Sequence, residues 1–207
     1  MRRPNFGFGL FLVEIGLFST AYGPIEGRDQ IAMPRQLAGN LEFQLERGDI
    51  TTLKVDAVVL PTTSTGTFTS PLGMLLKELG AEEAEQQAME VAPIAVGAAF
   101  VTECEPIVAD YLIHVPIAVT PGGKIGVENV RRAARAALVA GNLKGFDVIA
   151  YPPLCRRRES GIPTLEIARA VIDEVRGHRH PKPEKIVLID EGEAILKAAR
   201  KILNSLK

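Results

Sequence analysis

From Leu41 onward, short apolar runs take turns with amphipathic stretches of ten or more residues, and this alternation constrains the fold more than any other property of the chain. Residues 41–45 (LEFQL) alternate strictly, as a half-buried strand does, whereas residues 55–60 (VDAVVL) form a β-branched run suited to a strand covered on both faces. Residues 98–102, 111–115, 147–151 and 185–189 read as further strands. Between them, residues 72–91 carry Leu72, Leu75, Leu76 and Leu79 on one side of a predicted helix, with Glu78, Glu82, Glu83 and Glu85 on a face read as solvated. A second helix, residues 128–140, has Val130, Ala133, Ala134, Ala137 and Leu138 at helical spacing and is expected to stop at Gly141-Asn142. Helices over 164–176 and 193–206 complete the series, Asp190 and Glu193 having the spacing of a capping box. Strands that alternate with helices in this way imply an α/β fold with a mostly parallel or mixed sheet between helices. Ligands of such sheets bind beyond the carboxyl ends of the strands, so the loops after Leu45, Leu60 and Tyr151 are the ones to search.

Composition narrows the function more than the fold. With 46% hydrophobic and 24% charged residues in 207, the chain is neither disordered nor fibrous. Lys plus Arg number 24 and Asp plus Glu 25, so a net charge of -1 provides no general field for nucleic acid or an anionic membrane, and any polyanion site must be local. Aromatic residues at 5%, with no Trp, argue against an extended base-stacking surface. Cys104 and Cys155 lack the spacing of a zinc site or a disulfide framework, so no metal or cofactor is expected and a reducing cytoplasm is the expected location.

Residues 1–40 are different in kind. Four of the eight Phe fall in the first eighteen residues, and Arg2-Arg3, an apolar run and Ser19-Thr20-Ala21 imitate a signal peptide. Glu14 inside the run spoils the imitation, and the run is shorter than the roughly 20 residues that span a bilayer. Two readings remain: an N-terminal extension that packs an extra strand or helix on the domain, or a start assigned too early, with Met33 as the true beginning. On either, residues 23–39 are read as linker or untranslated residue and the domain as residues 41–207.

Five segments follow one another in a recognisable order: Gly48-Asp49-Ile50-Thr51, Val55-Asp56-Ala57-Val58-Val59, Tyr111-Leu112-Ile113-His114, Ile149-Ala150-Tyr151-Pro152 and Gly161-Ile162-Pro163. Together they resemble the macro domain, the module that binds ADP-ribose and its derivatives, from Leu41 to the C-terminus. The resemblance implies a three-layer α/β/α sandwich with a mixed, mostly parallel central sheet. It also implies that Asp49 accepts a hydrogen bond from the adenine amino group, beside the Ile50 backbone; the residues alone equally allow Asp49 to close a turn through its own backbone.

Three departures from the family pattern bear on function. The family's Asn-Ala-Ala-Asn and glycine-rich loop are replaced by Leu60-Pro61-Thr62-Thr63-Ser64-Thr65-Gly66-Thr67, so the asparagines fall on Leu60 and Thr63. Hydroxyls of Thr62, Thr63 and Ser64 can still reach a ribose or phosphate, or simply line a solvated connector. Leu72 stands where several de-ADP-ribosylating members place an Asp linked to water activation, and leucine cannot orient water. The family's diphosphate loop is replaced by Cys155-Arg156-Arg157-Arg158-Glu159-Ser160-Gly161. There Arg156, Arg157 and Arg158, followed by Ser160, Gly161 and Ile162 ahead of a helix, suit a phosphate through charge-assisted bonds; the alternative is a basic surface loop partly neutralised by Glu159.

His114, between Ile113 and Val115, reads as a packed strand histidine, and His178 and His180 have metal-like spacing but no further ligands. Cys155 beside three arginines suggests a lowered thiol pKa, with no base in view. The resemblance and its departures together imply a divergent macro domain that binds ADP-ribose or a related nucleotide diphosphate without efficient hydrolysis. The alternatives are a hydrolase acting on ADP-ribosyl or ADP-ribose 1″-phosphate substrates, and a decayed pocket serving as an RNA- or protein-interaction module. The partners so implied are the nucleotide itself and an ADP-ribosylated protein or nucleic acid, with no membrane.

Overall fold

The computed structural model describes residues 30–38 and 41–206. Seven strands, β1 (Gln30–Ala38), β2 (Leu41–Arg47), β3 (Ala57–Thr63), β4 (Phe100–Glu103), β5 (Tyr111–Ala118), β6 (Val148–Tyr151) and β7 (Lys185–Asp190), form one sheet in the order β1-β2-β7-β6-β3-β5-β4. The five central strands run parallel, and β1 and β4 pair antiparallel at the two edges. Helices α3 (Val127–Lys144), α5 (Thr164–Gly177) and α6 (Ala194–Ser205) cover one face, where Phe43, Leu45, Val59, Leu138, Tyr151 and Ile172 are buried. Helices α1 (Pro71–Glu78) and α2 (Glu82–Glu90) cover the other, over Val58, Leu60, Phe68, Leu76 and Leu112. Val58 and Val59 thus point to opposite layers, as the period of two in a strand requires, and the fold is a three-layer α/β/α sandwich.

The sheet begins ahead of Leu41. Gln30–Ala38 takes in much of the stretch expected to be linker, and the Arg35 guanidinium donates to the Leu203 carbonyl on α6. The signal-like run at residues 6–18 lies outside the described residues.

Two helix boundaries differ from the sequence reading. Residues 72–91 form two helices because Gly80, at φ +101°, ends the first, with the Ala81 N–H donating back to the Leu76 carbonyl at 2.9 Å. α3 runs through Gly141 to a cap at Gly145, since Gly141 is a packing residue: a Cβ there would sit 2.3 Å from Ile149 Cδ1. The acidic face is not all solvated either, for Glu85 accepts the Phe68 N–H at 2.7 Å and pairs with Lys77 at 2.8 Å. Nor is the expected capping box present, because the Glu193 side chain makes no cap bond to α6 and the Asp190 carboxylate is engaged elsewhere.

The most consequential difference lies in β3, which continues past Leu60 through Pro61 to Thr63. Proline in a central strand normally forfeits a ladder bond. Here β3 pairs with β6 only at Ala57 and Val58, so the strands have already separated at Pro61 and no partner waits for its missing N–H. That separation, flanked by Pro152 and Pro153 after β6, opens the sheet at its carboxyl end.

Candidate functional site

Two adjoining clefts, each of about 480 Å³, lie along this opening. The first sits over the ends of β3 and β5, with Leu72, Met74, Ile117, Ile125 and Leu154 as its apolar walls and Thr62, Thr63 and Ser70 among its polar groups. The second sits over β6 and β7 and reaches Cys155, Thr164, Asp190 and the start of α6. Pro71, Pro153, Arg156 and Arg158 line both and form the partition between them.

The arginine loop is built, not open. Arg157–Ser160 form a single helical turn, α4, capped by Gly161 in the left-handed region at φ +72°, while the Glu159 carboxylate accepts the Arg156 N–H at 3.0 Å. The Ser160 hydroxyl accepts the Ile162 N–H at 3.2 Å and donates to the Arg156 carbonyl at 3.1 Å, so it is spent on the turn; Ile162 itself is buried in the core. The three guanidiniums consequently have three environments. Arg156 makes a two-pronged pair with Asp190, Nη2 to Oδ1 at 2.8 Å and Nη1 to Oδ2 at 3.4 Å. Arg158 is 3.8 Å from Glu159 and largely exposed. Arg157 lines the second cleft and has no hydrogen-bond or ion-pair partner among the described residues.

Asp190 is 4% exposed and Arg156 39%, so the pair joins a buried anion to a half-open cation. Breaking a fully buried pair costs on the order of 3–5 kcal/mol; solvent screening at the guanidinium reduces this to about 1–2 kcal/mol. Three arginines against Glu159 and Asp190 leave the two clefts with one net positive charge. Sequence reasoning missed Asp190, whose local spacing to Glu193 pointed to a helix cap. Only the adjacency of β6 and β7 brings it to Arg156.

The loop after β3 is closed on itself. Thr63, Thr65 and Thr67 hydroxyls form a triangle with sides of 2.8, 3.0 and 3.0 Å. Ser64 is held by backbone bonds to Ala118 and Ile94 and lines neither cleft. Thr62 differs: it is 2% exposed, lines the first cleft, and its hydroxyl has no partner among the described residues.

Asp49 caps the 3-10 turn Ile50–Thr52, its Oδ1 accepting from Thr51 N at 2.9 Å and Thr51 Oγ1 at 2.7 Å, and Ile50 packs against the α1–α2 core layer. Neither lines the two clefts, but Gly48 N–H donates to the Asp190 carbonyl at 3.3 Å, which sets their loop beside the second. Cys155 is buried, donates to Ser160 Oγ at 3.7 Å, and has its thiol pKa raised by burial, contrary to the lowering expected from its neighbours. His114 is fully buried and bonded to Thr102 at 2.8 Å, with burial lowering its pKa to about 4. Among the described residues no cluster of His, Cys, Asp or Glu could hold a metal, and no helix is long and apolar enough to cross a membrane.

The family model for the macro domain matches residues 72–170. An uncharacterized protein of Aquifex aeolicus is 32% identical over 163 residues, 79% of this chain and 98% of that protein. The chain belongs to the macro domain family. A second relative, from Aeropyrum pernix, is 29% identical over 79% of this chain and 86% of its own length. Among solved structures, a mutant Oceanobacillus iheyensis macrodomain with ADPR superposes at a TM-score of 0.72 with 15% identity, covering 84% of this chain and 97% of that one. The Trypanosoma brucei macrodomain in complex with ADP-ribose gives 0.67 at 18% identity, covering 78% and 68%. These macro domain structures share the fold at identities too low to carry residue roles. In this macro domain the two cleft-lining loops are rich in threonine and arginine.

Proposed function

We propose that the chain binds ADP-ribose or a related nucleotide diphosphate across both clefts, without efficient hydrolysis. One observation carries this reading: Arg156 and Arg158 line both clefts at the partition, where a phosphate group joining two nucleoside-sized ends would lie. Adenine belongs at the second cleft, next to the Asp49 turn. Asp49 spends part of its acceptor capacity on Thr51, and a carboxylate has about four lone-pair sites in all, leaving room for the adenine amino group. The terminal ribose belongs in the first cleft, near the unpartnered Thr62 hydroxyl.

Weak hydrolysis follows from the walls of that cleft. Leu72 lines it and can neither move a proton nor orient water. Calorimetric titration with ADP-ribose tests binding, repeated on Asp49→Ala and on the triple alanine variant of Arg156, Arg157 and Arg158. Absence of heat at millimolar ligand ends the reading.

A hydrolase reading has one observation in its favour: Glu159 lines the first cleft with its side chain 31% exposed. Release of labelled ADP-ribose from modified protein, nucleic acid or ester substrates decides between the two. Turnover above the no-enzyme rate that disappears in Glu159→Gln would establish hydrolysis, and a rate equal to the blank leaves binding alone.

A further inference from the structure

Asp190 closes β7, and Arg156 follows β6, the parallel strand beside it. Their pairing is end-on, with Nη1 and Nη2 each giving one hydrogen to the carboxylate. A guanidinium has five N–H donors, so Nε–H and one hydrogen on each Nη remain, and Arg156 makes no other side-chain hydrogen bond among the described residues. Arg156 lines both clefts, so these donors sit at the partition.

We infer that Asp190 is a positioning residue for ligand binding: it holds Arg156 at the partition with three donors free, so that a bridging phosphate meets a guanidinium already fixed in place. This rests on the binding reading given above. The opposite role, a carboxylate that competes with the ligand for Arg156, is not required by the geometry. The pair uses two of the five N–H donors, so a phosphate can be met by the other three while Asp190, 4% exposed, keeps its partner. The ligand therefore adds to the pair without displacing it. Long side chains lose rotamer freedom when they bind; a guanidinium already held by a carboxylate has less to lose.

The experiment is a titration of wild type, Asp190→Asn, Arg156→Ala and the double variant with ADP-ribose and with adenosine, after thermal unfolding has confirmed that each is folded. Asp190→Asn keeps the shape of the site and removes the charge that orients Arg156. It is expected to weaken ADP-ribose by about tenfold while leaving adenosine within about twofold, the equivalent of roughly one charge-assisted contact. On the Arg156→Ala background, the same substitution should produce no further loss for ADP-ribose. Unchanged or tighter ADP-ribose binding by Asp190→Asn overturns the inference, as does an equal loss for adenosine or a full additional loss in the double variant. If Asp190→Asn does not fold, Arg156→Lys carries the test. It retains the charge without the two-pronged geometry and should show the same selective loss; an affinity equal to wild type overturns the inference. Should wild type fail to bind ADP-ribose, the reading of function falls, and the same variants are titrated with inorganic pyrophosphate. Weakening in Asp190→Asn then upholds the inference independently, and no binding of pyrophosphate by wild type overturns it as well.

Discussion

The loops after β3 and β6 line the same cleft and solve opposite problems. The threonine loop turns its hydroxyls on one another, in the Thr63-Thr65-Thr67 triangle, and leans on α2. The arginine loop spends Ser160 and Glu159 on its own turn and leaves guanidinium donors facing outward. A polar loop that satisfies itself is scaffolding, and one that leaves guanidinium donors over is prepared for a ligand. Substitutions in the first should therefore be felt mainly in stability, and in the second mainly in affinity.

The largest expected effect tests the scaffolding half. Gly66 has φ +79°, and a Cβ there would lie 2.5 Å from the Ala88 carbonyl carbon and oxygen on α2. The left-handed backbone alone costs an ordinary residue about 1–2 kcal/mol, and the clash is with main chain that cannot rotate away. Gly66→Ala is expected to lower unfolding stability by about 3 kcal/mol or more, measured by urea titration. A loss under about 1 kcal/mol would mean that the loop does not depend on α2.

Next is a pH effect that falls mainly on the threonine side. The ring of Phe68, just beyond that loop, packs 5.4 Å from His114, whose pKa burial has lowered to about 4. The unfolded chain therefore binds a proton near pH 6.5 that the folded one refuses. Stability is fully present above that value and falls as pH drops from about 6.5 to 4, by up to about 3 kcal/mol. The guanidiniums of the other loop stay charged throughout. Urea unfolding at pH 7, 5 and 4 should show the decline, and His114→Gln should flatten it; an equal slope in that variant removes His114 as its source.

On the arginine side the stability effects are smaller and unequal. Arg156→Ala strands Asp190 and is expected to cost about 1–2 kcal/mol in the same measurement. Arg157→Ala should stay within about 0.5 kcal/mol, because Arg157 has no partner among the described residues to lose. Equal losses would show that Arg156 and Arg157 act as an undifferentiated basic patch.

Strands β2 to β7 were legible in sequence because burial demands alternating or β-branched runs such as Val58-Val59, and the long helices α3, α5 and α6 because their apolar residues recur at helical spacing. What was not legible was long-range. Gly141 resembles a terminator until Ile149 is seen against it, and Asp190 resembles a helix cap until β7 is placed beside β6. Pro61 likewise argues against a central strand until β6 is found to have parted from β3. In each case the local rule was sound and a neighbour brought up by the fold from another element replaced the partner that the rule assumes. The candidate site consists almost wholly of such replacements.

The smallest effect separates two threonines of one region. Thr65 is exposed and belongs to the triangle; Thr62 is buried in the cleft with an unpartnered hydroxyl. Thr65→Val removes two sides of the triangle at an exposed hydroxyl and should cost about 0.5–1 kcal/mol, with ADP-ribose affinity unchanged. Thr62→Val removes a hydroxyl whose burial is uncompensated, so stability should rise by about 0.5–1 kcal/mol. The same change should weaken ADP-ribose by about fivefold, since the hydroxyl that the fold leaves idle is the one a ribose would use. A gain in stability coupled to a loss of binding is what a residue kept for a ligand produces. If Thr62→Val instead destabilises the protein and leaves affinity untouched, Thr62 belongs with the scaffolding, and the division between the two loops has no exception at the floor of the cleft.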